Sequence, residues 1–168
     1  MTERQRTMST SRSSTSNPNT ISKRAVVAQN ALLKAIKSTN AEDIEAAVSR
    51  WEPLARYIPE AHPDYEPVLS SYAVALLLRW EDSHQAKDIG KAILTLEKVL
   101  TGLSPEPSPS RYQNLVNLGA AYMDRYETLQ KDPKDIMRAA ECWEKAHAIA
   151  VLLGFMRDSV SPILCAFS

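Results

Sequence analysis

The sequence has little of several residue types on which other protein classes depend. Its 168 residues include two cysteines, Cys142 and Cys165, far below the density of a disulfide-stabilised scaffold, which favours a reducing compartment. Its four glycines are isolated, so no glycine-rich phosphate-binding loop is present. No apolar run reaches about 18 residues, the length that a membrane-spanning helix needs. We therefore expect a cytoplasmic protein without a membrane segment.

Net charge is also absent, because 20 basic side chains balance 20 acidic ones. No overall field attracts nucleic acid or an anionic membrane, and neither is expected as a partner. Residues 1–20 are rich in Ser, Thr and Arg, and Glu3 is their only acid. Such a segment cannot bury enough apolar surface to offset its ordering entropy, so we interpret it as a disordered tail. A mitochondrial transit peptide shares this composition, but the amphipathic stripe of such a peptide is missing.

Residues 21–168 have the periodicity of helices and form the expected domain. Apolar residues recur three and four positions apart, as at Val68 and Tyr72, and no segment alternates as a half-buried strand does. Turn-forming stretches divide the domain into six helices, with Asn40 and Asp132 as expected N-caps. The helices pair in three units, at about 21–60, 65–105 and 110–153, followed by a C-terminal cap segment.

A frame of residues recurs in the second helix of each unit. It begins at Asp43, Asp88 and Asp135, which are 45 (88 − 43) and 47 (135 − 88) positions apart, a period that indicates stacked helical pairs. Within the frame, a large residue follows a small one after four positions, and another apolar residue follows the large one after three more. The three residues share one helix face. With matching positions in the first helices, the predicted structural core is Ala47, Trp51, Leu54, Tyr72, Ala92, Leu96, Val99, Leu118, Gly119, Tyr122, Ala139, Trp143 and Ala146.

At these residues the sequence resembles the tetratricopeptide repeat (TPR) family. In the third unit, the family's pattern of Leu-Gly, Tyr, Ala, aromatic and Ala falls on Leu118, Gly119, Tyr122, Ala139, Trp143 and Ala146. The units exceed the usual length of about 34 residues, and the excess lies between the paired helices. This long variety resembles the repeats of fungal multi-domain proteins that carry CHAT-type caspase-like peptidase or nucleotide-binding modules. The resemblance implies an all-α fold, an α-α superhelix of about three TPR-like helical hairpins.

The resemblance also implies a non-catalytic protein–protein interaction or scaffold module, whose first helices line a groove for a partner's peptide or helix. Carried over by position, the groove comprises Ser70, Val74, Leu77, Leu78, Gln113, Val116, Ala120, Met123 and Asp124. The alternative is that its apolar members merely pack against neighbouring helices. No cofactor or metal is implied. The Lys, Asn and Arg set with which some members hold a C-terminal carboxylate is absent.

Residues that suggest chemistry are few. Glu144 and His147 have the Glu-x-x-His spacing of di-iron helix bundles, but the second such motif that the site needs is missing. Cys142 and His147 are five positions apart, so they point in different directions on a helix and do not form a nucleophile and base pair. An enzyme is therefore not expected. A small helical-bundle metal protein or enzyme remains an alternative.

The C-terminal segment is apolar and lacks a polar capping helix, although a repeat array exposes a stacking face at its last unit. We expect residues 155–167 to fold back over that face, with Pro162, Ile163, Leu164 and Phe167 covering it. Otherwise the face allows self-association, or the chain is a regulatory fragment of a larger multi-domain peptidase or NTPase.

Overall fold

The computed structural model describes residues 18–155. They form six α-helices: α1 (Pro18–Ser38), α2 (Ala41–Tyr57), α3 (Tyr65–Ser83), α4 (Ala86–Gly102), α5 (Pro109–Arg125) and α6 (Pro133–Leu152). A short π-helical segment, Tyr126–Gln130, extends α5. No strand occurs between residues 18 and 155, and the predicted all-α fold of three helical hairpins is confirmed. No helix in this range combines the length and the apolar character needed to cross a bilayer.

The two ends of the chain lie outside the described residues. Helix α1 begins at Pro18, within the segment assigned to the tail, so the expected boundary at residue 20 falls inside a helix. The greater part of the predicted tail, residues 1–17, and most of the predicted cap, residues 156–168, are not described.

Side-chain caps mark the starts of three helices. Asn40 caps α2 and Asp132 caps α6, as predicted, and their side-chain oxygens accept backbone N–H bonds of 2.8 and 3.0 Å. Ser108 caps α5 in the same way, with a 3.1 Å bond, and Pro109 follows it at the first helical position. Each cap satisfies a backbone donor that the first turn leaves free. A Ser-Pro pair is thus one of the sequences with which this chain begins a helix.

Each hairpin turns at a residue in the left-handed backbone conformation. Thr39, His84 and Lys131 stand at equivalent positions between the paired helices, with φ of 51°, 50° and 47°. The His84 backbone N–H donates to the Trp80 carbonyl oxygen at 2.8 Å and closes the end of α3. None of the three is glycine, so each Cβ adds a steric cost of about 1 kcal/mol or more to its turn.

The hairpins stack so that each second helix contacts the first helix of the next hairpin. Helix α2 packs on α3, and α4 packs on α5. One buried core is formed mainly by α1, α2 and α3, and a second by α3, α4, α5 and α6. Helix α3 contributes to both cores, and its Leu77 packs against both. The middle hairpin therefore connects the two cores.

Twelve of the thirteen predicted core residues are buried, and Trp143 is the exception. The buried ones are Ala47, Trp51, Leu54, Tyr72, Ala92, Leu96, Val99, Leu118, Gly119, Tyr122, Ala139 and Ala146. The expectation is wrong for Trp143, whose side chain is 41% exposed. Its counterparts Trp51 and Leu96 are 2% and 0% exposed, because the next hairpin packs on them. No described helix follows α6, so one side of the Trp143 ring is open.

The edge of the Trp143 indole lies against Gly119. A Cβ added at residue 119 would lie 2.5 Å from Trp143 Nε1, closer than side chains approach each other in folded proteins. Gly119 itself is buried in α5. Glycine at this position therefore makes room for the indole of the partner helix.

Trp143 belongs to a set of three α6 residues that are exposed where earlier hairpins have buried ones. Ile136 is 38% exposed, whereas its counterparts Ile44 and Ile89 are 4% and 0% exposed. Ala140 is exposed at a position where the earlier hairpins have a buried Val and a buried Ile. We call Ile136, Ala140 and Trp143 the end face.

The space beside Gly119 gives a first test. We expect Gly119→Ala to lower the free energy of unfolding by about 1 to 3 kcal/mol, because the new methyl group overlaps the Trp143 ring. Gly90→Ala is the matched control: it lies in α4 with no atom near its added Cβ, so it should raise the free energy by about 0.5 to 1 kcal/mol. Urea unfolding measures both. Stabilisation by both variants would contradict the contact between Gly119 and Trp143.

The left-handed turns give a second test. Thr39→Gly should raise the free energy of unfolding by about 1 kcal/mol, because it removes a β-branched side chain from a residue with φ of 51°. Thr95→Gly, inside α4, should instead lower it by a few tenths to about 1 kcal/mol. Thermal and urea unfolding distinguish the two signs. A loss of stability in Thr39→Gly would contradict the turn geometry.

Candidate functional site

The first helices of the hairpins lie close together on one side of the stack. Helix α3 contacts both α1 and α5 directly, and the second helices α2, α4 and α6 make fewer contacts with one another. Closer spacing on one side curves a stack of hairpins toward that side. The predicted groove residues all belong to α3 and α5, on the more closely spaced side.

One ion pair recurs in every hairpin, between a cation near the end of the first helix and the Asp of the repeated frame. The pairs are Lys34–Asp43 (2.7 Å), Arg79–Asp88 (2.9 and 2.8 Å) and Arg125–Asp135 (2.8 and 2.5 Å). The three Asp residues mark the repeat in the sequence, but their cationic partners were not predicted. The signal was available, because each cation stands nine or ten positions before its Asp.

Asp88 and Asp135 are buried carboxylates, a feature that is frequent at active sites. They are 0% and 3% exposed. Each accepts two hydrogen bonds from one guanidinium group. The hydrogen bonds from Arg125 are the main reason why the pKa of Asp135 lies below its ordinary value. A carboxyl group held ionised in this way does not donate a proton near neutral pH. Asp135 is therefore not suited to act as a general acid, and both aspartates bind the arginine that closes their hairpin.

The nine predicted groove residues differ in how far they are available to a partner. Val74, Leu77 and Leu78 are half-buried and pack against the first core, while Val116 and Met123 pack against the second, which supports the packing alternative for these five. Ser70 is half-buried, and its hydroxyl oxygen has no hydrogen-bond partner among the described residues. Gln113 and Ala120 are exposed, and Asp124 is half-buried. Packing does not exclude a groove role, because the half-buried side chains keep part of their surface open.

The groove has an acidic end. The charge of Asp124 on α5 acts on Glu81 of α3, and the charge of Glu127 acts on Asp124. Burial is the larger cause that raises the pKa of Glu81, and the charge of Asp124 adds to it. Burial likewise raises the pKa of Asp124, helped by the charge of Glu127. No cation of the described residues pairs with these three carboxylates, whose charges are therefore uncompensated.

Helix α1 contributes apolar residues that the predicted groove left out. Lys34 and Arg79 occupy equivalent positions, because each pairs with the Asp of the repeated frame in its hairpin. In the same alignment Leu33 is equivalent to Leu78, and Ile36 is equivalent to Glu81. Leu33 and Ile36 are 45% and 46% exposed. Extending the repeat alignment to α1 would have found them. We call the resulting surface the first-helix face: Leu33, Ile36, Leu77, Leu78, Glu81, Ala120, Met123, Asp124 and Glu127.

The residues considered for metal or nucleophilic chemistry are not brought together. Glu144 and His147 are both exposed on α6. Between residues 18 and 155 no three His, Cys, Asp or Glu side chains are grouped closely enough to hold a metal ion. Cys142 is buried, and this burial raises the pKa of its thiol, so the thiolate form is disfavoured near neutral pH.

Comparison of the chain with protein-family models, with curated proteins and with solved structures finds no match. The likeness to tetratricopeptide repeats therefore rests on the repeated residues themselves. The site is defined by its own geometry: two half-buried apolar rows on α3 and α5, an apolar extension on α1 and an acidic end.

The pair of Arg125 and Asp135 predicts a pH dependence. The folded pKa of Asp135 is lowered, so its stabilising effect is complete above the unfolded pKa, about 3.9, and is lost as pH falls through the folded pKa. Asp135→Asn should lower the free energy of unfolding by about 1.5 to 3 kcal/mol at pH 7, with a smaller difference from the parent below about pH 4. Urea unfolding at pH 7, 5 and 3 measures this difference.

The matched control for this prediction is Glu141→Gln, an exposed acid on the same helix. It should change the free energy of unfolding by less than about 0.5 kcal/mol at each pH. A constant difference between Asp135→Asn and the parent from pH 7 to pH 3 would contradict an ionised, Arg-bound Asp135.

Proposed function

We propose that this protein is a cytoplasmic, non-catalytic scaffold module of the tetratricopeptide-like type. In this proposal the first-helix face binds a basic amphipathic segment of a protein partner. Apolar side chains of the segment contact Leu77, Leu78 and Met123, and its Lys or Arg residues reach Glu81, Asp124 and Glu127. No cofactor takes part.

The observation that carries the proposal is the uncompensated acidic end. Three carboxylates share one end of the face, and burial and mutual repulsion raise the pKa of two of them. Glu81 and Glu127 are exposed and Asp124 is half-buried, so the carboxylates are open to a partner. Like charges held close together disfavour ionisation, and a cation placed among them relieves that penalty. A basic group on a partner is the complement that this arrangement lacks.

The apolar part of the face supports a helical or extended segment as the occupant. Leu33 and Ile36 are nearly half exposed, and Leu77, Leu78 and Met123 remain half-buried beside them in the repeat order. Such a row suits the apolar side chains that a helix presents three and four positions apart. Because the row is built on packed helices, most of the ordering cost of binding falls on the partner.

The scaffold class and the location rest on further observations. The two buried carboxylates bind arginines, and the buried thiol has a raised pKa, which supports a non-catalytic role. The one described cysteine is unpaired, which agrees with a reducing compartment such as the cytoplasm.

The test uses two synthetic helical peptides of equal length with leucines three and four positions apart. One carries lysines at its other positions, and its control carries glutamates. Isothermal titration calorimetry should detect binding of the lysine peptide only, and added salt should weaken it. Glu81→Gln with Asp124→Asn should weaken binding about tenfold, equivalent to about 1.4 kcal/mol. The same variant should be at least as stable as the parent at pH 7, because both acids have raised folded pKa values.

The matched control variant is Glu141→Gln with Glu144→Gln, which removes two exposed acids from α6. It should bind the lysine peptide as the parent does. The proposal is wrong if the parent binds neither peptide, or if the two double variants lose affinity equally, since overall charge alone would then explain the binding.

A further inference from the structure

We propose that a second copy of this chain packs head to tail on the end face, with its α1 and α2 in the place that the next hairpin takes inside the chain. The contacting surface of the second copy is called the entry face, and it comprises Lys23, Arg24, Val27 and Asn30 of α1 and Arg50 of α2. This inference concerns the first and last described hairpins and does not depend on the first-helix face.

The entry face is the α1 counterpart of a surface that α3 and α5 bury. In the repeat alignment Val27 is equivalent to Tyr72 of α3 and to Leu118 of α5. Val27 is 56% exposed, whereas Tyr72 and Leu118 are 8% and 5% exposed. The second helix of the preceding hairpin packs on α3 and on α5. No helix precedes α1 within residues 18–155, so the side chain of Val27 is open to water.

The entry face contains a cleft that the preceding hairpin shares in the middle of the chain. There, a cleft of about 360 Å³ lies between α3 and α4, and Glu52 of the preceding α2 forms part of its wall. In the first hairpin a cleft of about 410 Å³ is lined by α1 and α2 alone. Five of its seven lining residues are equivalent to lining residues of the middle cleft: Arg24, Val27, Ser49, Arg50 and Pro53. The residue of α6 equivalent to Glu52 is Glu144, which therefore meets this cleft when a second copy continues the stack.

At both junctions inside the chain, an acid of one second helix pairs with a cation of the next second helix. Lys91 Nζ lies 3.4 Å from Glu52 Oε1, and Arg138 Nη1 lies 3.9 Å from Glu97 Oε1. Glu144 stands at the same repeat position on α6. It is exposed and forms no ion pair with any residue between 18 and 155. The end face thus presents an acid whose repeat counterparts are paired.

The entry face supplies a cation for Glu144. Ala46 occupies the position equivalent to Lys91 and Arg138. Arg50 stands one turn later, and its Nη1 donates to the Ala46 carbonyl oxygen at 3.2 Å. Its guanidinium group therefore lies where the other hairpins have their cation. All three cations of the entry face are exposed and have no carboxylate partner in the described part of the chain. Opposite charges on the two faces favour this pairing over contact between two like faces.

The apolar parts of the two faces are also complementary. Trp143 and Ile136 of the end face are 41% and 38% exposed, whereas their counterparts in α2 and α4 are at most 4% exposed. Inside the chain, Trp51 and Tyr72 belong to one buried core. Trp143 of one copy and Val27 of the next are equivalent to these two residues, so the contact removes apolar surface of both copies from water.

The contact is heterologous, because it joins two different faces. Each added copy presents a new end face, so the assembly should grow beyond a dimer as the protein concentration rises. Sedimentation velocity on the full chain over a wide range of concentrations measures this growth. Added salt should weaken the association, because the charged side chains of both faces are exposed.

Two single variants each block one face. Val27→Lys and Ala140→Lys place a charge at the centre of the entry face and of the end face, where the contact would bury it. Each variant alone should stay monomeric at concentrations at which the parent associates. An equal mixture of the two should form a dimer and nothing larger, because one intact entry face and one intact end face remain. Leu94→Lys is the matched control, since Leu94 is 67% exposed on α4, outside both faces, and it should associate as the parent does.

A charge exchange tests the pairing of Glu144 with Arg50. Glu144→Arg and Arg50→Glu should each weaken the association about tenfold, because like charges then meet at the contact. A chain that carries both changes should associate about as strongly as the parent, since every contact then has the same pair reversed. Circular dichroism checks that the helices of residues 18–155 remain folded in each variant.

Three results would overturn the proposal. A parent chain that stays monomeric at every concentration would mean that the end face takes no second copy. Undiminished association of Val27→Lys would mean that α1 is not the contacting surface, as when two end faces meet. A mixture of the two blocked variants that stays monomeric would exclude a head-to-tail contact. None of these results bears on peptide binding by the first-helix face, so the two proposals fail separately.

Discussion

The cation and aspartate pair that closes each hairpin is the interaction on which the rest of the architecture depends. The pair forms between the last turns of one helix and the first turn of the next, and so fixes how the two helices are rotated against each other. In the middle hairpin Asp88 is completely buried, and Arg79 also bonds to Glu45 of the preceding hairpin at 2.9 Å. This arginine therefore ties two units together as well as closing its own.

The choice of cation follows the burial of the pair. Lys34 is 71% exposed and pairs with a partly exposed Asp43, whereas Arg79 is 17% exposed and pairs with a buried Asp88. A lysine can meet a carboxylate in water and remain solvated. A buried carboxylate needs both of its oxygens satisfied, and the planar guanidinium group does this with two parallel bonds. The less buried pair at the first hairpin tolerates the simpler partner.

Stacking neighbours decide the role of residues that are equivalent in the repeat. Trp51 and Trp143 occupy the same position in their hairpins, yet one is in the core and the other is on the end face. In a linear array each hairpin contacts only its neighbours, so the last hairpin necessarily presents a surface that the others bury. The first-helix face and the end face are thus two different kinds of surface: one runs along the first helices of the hairpins, and the other lies on the last described hairpin.

The sequence by itself determined the helices, their pairing, the caps at Asn40 and Asp132 and the small buried positions Ala47, Ala92 and Ala139, because these depend on local hydrogen bonding and on spacing along one helix. It did not reveal the exposure of Trp143, since burial there depends on what packs from another hairpin. Nor did it reveal that Glu81 lies beside Asp124, because the two acids stand on different helices and meet only when α3 packs near α5. Local spacing sets which face of a helix is apolar, but only the tertiary structure decides which faces and which charges come together.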